Sequence, residues 1–279
     1  MTKLIAMTEG SFVGVGGLKI FTRAWRPIGR PVGVVVIVHG FNSHSGRYGW
    51  AADQFTSRGL AVHAFDLRGR GRSEGERFFV DKFDDYVADL AKFVTIVKDR
   101  EPDLPVFLLG HSAGGVVACA YAALHSSELT GFICESFAYQ APAPGIALAV
   151  VKGVSRFLPH AHALKLKNAD FSRDPQAVAA MNADPLIAHE TQPTQTVAAM
   201  VRADERLKQE FPLITLPVFI LHGTADKATR PSGSQAFYDA AGSTDKTLKL
   251  YDGGFHDLLN DTDREAVMAD ITRWVDARL

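Results

Sequence analysis

The chain has 279 residues, 47% of them hydrophobic, enough for one large α/β domain or two small ones around a sizeable core. Thirty basic against 31 acidic residues leave a net charge of −1, so no global field favours nucleic acid, an anionic membrane or a highly charged partner. No run reaches the roughly 18 apolar residues of a membrane-spanning helix, and residues 1–9 lack the apolar core of a signal peptide, so a soluble, cytoplasmic protein is expected.

From the N-terminus, residues 11–25 hold two short alternating runs around Gly14-Val15-Gly16-Gly17, which read as a hairpin. Residues 32–38 form a continuous β-branched run, as expected of a strand covered on both faces. Further strands are predicted at 61–66, 105–109, 130–135, 217–221 and 247–251. Between them, Phe83, Tyr86, Val87, Leu90, Phe93, Val94 and Val97 repeat with helical spacing, as do Val267, Met268, Ile271, Trp274 and Val275 near the C-terminus. Strands alternating with amphipathic helices predict an α/β fold, a mostly parallel doubly wound sheet of about eight strands with the first two as an antiparallel edge. Ligands then sit at the carboxyl ends of the strands.

The alternation fails over residues 136–212, which are rich in Ala, Pro and Gln and hold no convincing strand. That is too long for an ordinary loop, and it reads as a helical lid inserted into a core made of residues 1–135 and 213–279. Residues 146–158 predict a helix that is apolar nearly all round, with Lys152 and Arg156 its only charges. Such a helix either packs on the core or turns one side to an acyl-chain tunnel or to lipid, which makes Ile146 and Val150 candidate substrate contacts.

The most informative stretch is Phe107-Leu108-Leu109-Gly110-His111-Ser112-Ala113-Gly114-Gly115. An apolar strand runs into G-x-S-x-G and straight on into a helical pattern, the setting of a nucleophile elbow. A serine hydroxyl is a weak nucleophile unless it is held exposed and served by a base, and the sharp turn supplies the exposure. Gly110 and Gly114 let strand and helix approach closely. The base must in turn be oriented by an acid. The strand 217–221 ends in His222-Gly223-Thr224-Ala225-Asp226, and the strand 247–251 leads to Asp252-Gly253-Gly254-Phe255-His256. Asp226 and His256 therefore fall on loops at the same sheet edge as Ser112, in the order serine, acid, histidine. Glu135, at another strand end, is the rival acid and otherwise a structural or substrate-contacting carboxylate. Asp252 and Asp257 stand too near His256 in sequence to orient it.

An oxyanion hole needs two preorganised N–H groups. Ala113, after the nucleophile, is one candidate donor and Phe41, in the loop His39-Gly40-Phe41-Asn42, is the other; Asn42 and Ser43 beyond it are candidates for substrate contact. His39, His111 and His222 flank strand ends and read as structural. His160, His162 and His189 lack metal-ligand spacing, and Cys119 and Cys134 lie outside any C-x-x-C pair and read as buried and reduced. No metal and no cofactor is expected. The Gly-x-Gly within residues 66–73 lacks the placement of a dinucleotide fingerprint and reads as a tight, arginine-braced loop.

The chain resembles the serine-hydrolase branch of the α/β-hydrolase superfamily, and within it monoacylglycerol lipase and lysophospholipase-like proteins of the serine aminopeptidase-type branch. The matching stretches are His39-Gly40 with His44-Ser45-Gly46-Arg47-Tyr48, residues 66–73, Gly110 to Gly115, Asp184-Pro185-Leu186, His222 to Lys227 and the Tyr251 to His256 loop. The resemblance implies Ser112, Asp226 and His256 as catalytic triad, Phe41 and Ala113 as oxyanion donors, and a lid that admits an acyl chain. Two positions depart from it. Ala113 replaces the methionine common in this elbow, and Ser43 stands where mammalian monoacylglycerol lipases carry an acidic residue. The expected reaction is hydrolysis of a small, lipid-like ester through an acyl-enzyme on Ser112. Thioesterase, amidase or peptidase chemistry on the same triad, or a non-catalytic binding role, are the alternatives.

Overall fold

A computed structural model describes residues 6–140 and 145–279, with side chains from 7 to 140 and from 149 to 279. The chain begins with β1 (Ala6–Val13), β2 (Lys19–Arg26), β3 (Gly33–Val38), α1 (Gly49–Ser57), β4 (Leu60–Phe65) and α2 (Phe83–Arg100). It continues through β5 (Val106–His111), α3 (Ala113–His125), β6 (Gly131–Glu135), α4 (Gly145–Val154), β7 (His162–Leu164) and α5 (Pro175–Ala183). The remaining elements are β8 (Gln192–Pro193), α6 (Thr194–Glu210), β9 (Val218–Gly223), α7 (Pro231–Ala240), β10 (Lys246–Tyr251) and α8 (Arg264–Asp276).

Eight strands form one sheet in the order β1-β2-β4-β3-β5-β6-β9-β10. Strand β2 is antiparallel to both of its neighbours, and the strands from β4 to β10 are parallel. This is the mostly parallel sheet of eight strands with an antiparallel edge that the alternation of strands and helices predicts. The side-chain period of two explains why β3 is apolar throughout. Val34, Val36 and Val38 enter the core on the face covered by α2, α3 and α6. Val35 and Ile37 enter the core beneath α1 and α8 on the other face. Helix α2 buries the periodic set Phe83, Tyr86, Val87, Leu90, Phe93, Val94 and Val97. Its first turn carries Asp84 and Asp85 and its last turn Lys98 and Arg100, which suits the helix dipole.

Between β6 and β9 the described residues are mainly helical, with two differences from expectation. Strands β7 and β8 pair antiparallel, His162 opposite Pro193 and Leu164 opposite Gln192. A pairing of two or three residues is too short for alternation to reveal it. The apolar helix also ends sooner than its hydrophobicity predicts, at Val154, and leaves Phe157 84% and Leu158 60% exposed beyond it. Among the described residues no helix is long and apolar enough to cross a membrane.

Candidate active site

The site is built on the carboxyl ends of β3, β5, β9 and β10. Strand β5 ends at His111, and Ser112 takes φ 55° and ψ −123° before α3 begins at Ala113. A non-glycine residue in that region is strained, and the strain persists because the surroundings over-determine it. The Ser112 N–H is held by the Glu135 carbonyl at 2.9 Å, and the Gly115 N–H closes on the Ser112 carbonyl at 2.9 Å. Gly114 is required by packing. A Cβ there would lie 2.2 Å from the Val38 carbonyl oxygen and 2.4 Å from that of His39, so only glycine lets the start of α3 cross the end of β3.

Opposite the serine, the loops after β9 and β10 bring Asp226 and His256 together. His256 Nδ1 donates to Asp226 Oδ2 at 2.8 Å, and both side chains are fully buried. With its proton on Nδ1, the ring presents Nε2 as an acceptor, and that buried atom has no hydrogen-bond partner among the described residues. Ser112 and His256 line one cavity. Asp226 is saturated with donors. Its Oδ1 accepts the N–H groups of Ala228 at 2.7 Å and Thr229 at 2.9 Å, and its Oδ2 also accepts Thr229 Oγ1 at 2.7 Å and His222 Nε2 at 3.1 Å. Burial works to raise the Asp226 pKa, but the electrostatic attraction of His256 and the hydrogen bonds from His222 and His256 outweigh it and hold the carboxyl well below its ordinary range. Phe171 packs edge-on against the His256 ring at 4.8 Å and accepts the Asp257 N–H on its carbonyl at 2.8 Å.

Phe41 and Ala113 line the same cavity, and among the described residues neither backbone N–H meets a protein acceptor. The next N–H, that of Asn42, is taken by Glu190 Oε1 at 2.9 Å, which leaves Phe41 as the available donor on this loop. The loop is braced on both sides. His39 Nδ1 donates to the Gly40 carbonyl at 2.7 Å while its Nε2 accepts the Leu67 N–H at 2.9 Å. The Arg70 guanidinium lies 4.0 Å from the centre of the Phe41 ring and binds Glu190 and, at 2.6 Å, Gln192.

The other sequence candidates lie elsewhere. Asn42 borders a neighbouring polar pocket with Lys165, Lys167 and Asn168, its Nδ2 donating to Asn168 Oδ1 at 2.9 Å. Ser43 is buried beside Tyr48 and is not among the cavity-lining residues. Glu135 is buried, does not line the cavity, and spends its side chain on the Leu259 N–H at 3.1 Å. Val150 is 57% exposed and also outside the lining, and the Ile146 side chain falls outside the described residues. His160 bonds Glu76 and His162 bonds Thr191. The residues from 66 to 73 form the arginine-braced loop, with Arg68 on Asp85 and Asp89 and Arg72 on Glu9. The rest of the cavity wall carries no motif: Ala138, Gln140, Leu164, Leu166, Val197, Met200, Val201, Asp204, Ala228 and Thr229. The spacing of Val197, Met200 and Val201 at i, i+3 and i+4 is the signal that marks one face of α6.

The model of the hydrolase family described as serine aminopeptidase, S33, matches residues 29–263. The chain belongs to this family. The hydrolase is 34% identical to a monoacylglycerol lipase of Mycolicibacterium smegmatis, over 98% of each chain. Two solved structures share its fold: a Paleococcus ferrophilus monoacylglycerol lipase (28% identity, TM-score 0.82, 98% of this chain and 100% of the other) and a Bacillus coagulans carboxyl esterase in complex with glycerol (25% identity, TM-score 0.87, 98% and 99%). The similarity thus runs through the segment between β6 and β9 as well as the sheet.

Proposed function

We propose that this hydrolase is a serine carboxylic ester hydrolase that cleaves monoesters with an apolar acyl part, and that residues 136–212 form a lid over a core of residues 1–135 and 213–279. The observation that carries the reading is the pairing of His256 with Asp226, which leaves Nε2 open in the cavity that also holds Ser112 and the Phe41 and Ala113 N–H groups. His256 Nε2 takes the Ser112 proton as Oγ attacks the ester carbonyl. The carbonyl oxygen, now negative, is held by the Phe41 and Ala113 N–H groups. The imidazolium gives its proton to the departing alcohol and leaves an acyl-enzyme. Water, deprotonated by the same nitrogen, then attacks the acyl-enzyme, and as the Ser112 Oγ–carbon bond breaks the imidazolium returns that proton to Oγ and the acid is released. No cofactor enters.

Leu164, Leu166, Val197, Met200 and Val201 give the cavity an apolar wall suited to an acyl chain. The relatives that act on monoacylglycerols support that substrate class. The exposed Phe157 and Leu158 suit contact of the lid with a lipid surface. Two buried, reduced cysteines fit a cytoplasmic setting. The test is a panel of monoacylglycerols and short-chain esters against thioesters and aminoacyl amides, run with wild type and Ser112→Ala. Ester turnover lost in Ser112→Ala supports the reading, and turnover that survives the substitution, or that is confined to amides, refutes it.

A further inference from the structure

We infer that Glu135 is a positioning residue that fixes the His256 loop in register with the Ser112 elbow, through the hydrogen bond its side chain accepts from Leu259. The inference rests on the assignment of Ser112 and His256 made above. Glu135 is the last residue of β6, paired with His111 of β5 on one side and Leu221 of β9 on the other. Its two polar ends serve two different loops. The backbone carbonyl holds the Ser112 N–H at 2.9 Å, and side-chain Oε1 holds the Leu259 N–H at 3.1 Å. Leu259 sits in the short turn of residues 258–260, three residues after His256. One residue therefore ties the nucleophile's backbone to the backbone that carries the base.

An apolar side chain would fill this fully buried place at no polar penalty, so a carboxyl group there needs its bond to be tolerated. The same loop is held from below by His111. Its Nε2 lies 3.3 Å from the His256 carbonyl, which can only accept, so Nε2 carries the proton and Nδ1 accepts from Tyr48 Oη at 3.3 Å. His111, Glu135 and Asp257 each present a polar atom within 4.8 Å of the others. Asp257 in turn holds Asn260 Nδ2 at 3.0 Å and faces Arg47 at 3.9 Å. Burial, and after it the Asp257 carboxylate, pushes the Glu135 carboxyl well above its ordinary range. Glu135 makes no bond to the His256 ring, whose Nδ1 is taken by Asp226. Its influence on the reaction therefore runs through the loop.

Glu135→Gln keeps a side-chain oxygen acceptor of the same shape, and Glu135→Met removes it at similar volume. For a soluble short-chain ester, Glu135→Met is expected to keep its KM and lose about a hundredfold in kcat, the scale on which small misplacements of catalytic groups act. Its Ser112 should react with a fluorophosphonate more slowly in the same proportion, and Glu135→Gln should stay near wild type on both counts. A folded Glu135→Met with wild-type kcat overturns the inference, as does a Glu135→Gln variant as impaired as the Met one. Should Glu135→Met fail to fold, Glu135→Gln decides alone. Retained kcat with the Leu259 amide still protected from hydrogen exchange supports the bond, and retained kcat with that amide unprotected overturns it. A wild type that neither hydrolyses esters nor labels at Ser112 would instead sink the catalytic assignment, a result distinct from an active wild type indifferent to Glu135.

Discussion

Replacing Asp226 by Asn changes one atom, and the surroundings dictate where that atom goes. Oδ1 accepts two backbone N–H groups, from Ala228 at 2.7 Å and Thr229 at 2.9 Å, which only an oxygen satisfies. The amide NH2 must therefore occupy the Oδ2 place, which now receives His256 Nδ1 at 2.8 Å, Thr229 Oγ1 at 2.7 Å and His222 Nε2 at 3.1 Å. Facing an amide donor, His256 is driven to the tautomer with its proton on Nε2, the atom that should take the serine proton. Loss of the right tautomer in a serine triad lowers kcat on the order of 10⁴-fold, or about 5 kcal/mol of transition-state stabilisation. The assay is kcat for a soluble p-nitrophenyl ester, with circular dichroism to confirm the fold. A fall of less than about tenfold would refute the claim that Asp226 orients His256 through Nδ1.

Three further outcomes follow from the geometry. Gly114→Ala places a Cβ against the fixed carbonyls of β3 and should destabilise by about 1–3 kcal/mol or more while lowering kcat as the Ala113 N–H retreats. Gly115→Ala, whose Cβ meets nothing nearer than 3.3 Å, is the control, and equal effects in urea titrations of the two variants would contradict the packing argument. His39, His63 and His111 are lowered from 6.5 to about 4, chiefly by burial. The unfolded chain takes up those protons first, so stability is full above pH 6.5, falls with acidification, and levels off below pH 4. Between pH 7 and 5 the loss is roughly 2 kcal/mol per histidine, and an unfolding free energy that stays flat over that range would be inconsistent with buried neutral rings. Finally, Phe157→Ser with Leu158→Ser should raise the apparent KM for emulsified monoesters and leave a soluble short-chain ester unaffected. Equal effects on both substrates would show that these residues do not meet lipid.

Much of this architecture is legible in the sequence because its signals are local. The run from Gly33 to Val38 declares a doubly covered strand, and Gly110 to Gly114 between a strand and a helix declares an elbow. The loops bearing Asp226 and His256 follow, because parallel strands put their carboxyl ends on one edge. What stayed hidden depends on contacts between distant segments. Helix α1 buries Ala51, Ala52, Phe55 and Thr56, too few large apolar residues for a clear period. His222 reads as a strand-end histidine until the fold sets its Nε2 on Asp226. Glu135 reads as a rival acid until its side chain is seen to meet Leu259, 124 residues away. Asn42 and Ser43 follow Phe41 in sequence, yet neither lines the cavity, Asn42 facing the neighbouring polar pocket and Ser43 lying buried beside Tyr48.

The central claim is that an acyl group passes through Ser112. Wild-type enzyme turning over a monoacylglycerol, quenched in acid and digested, should yield the Ser112 peptide carrying the acyl mass, and Ser112→Ala should yield neither adduct nor turnover. An acyl group found on another residue, or hydrolysis that continues in Ser112→Ala, would contradict the account.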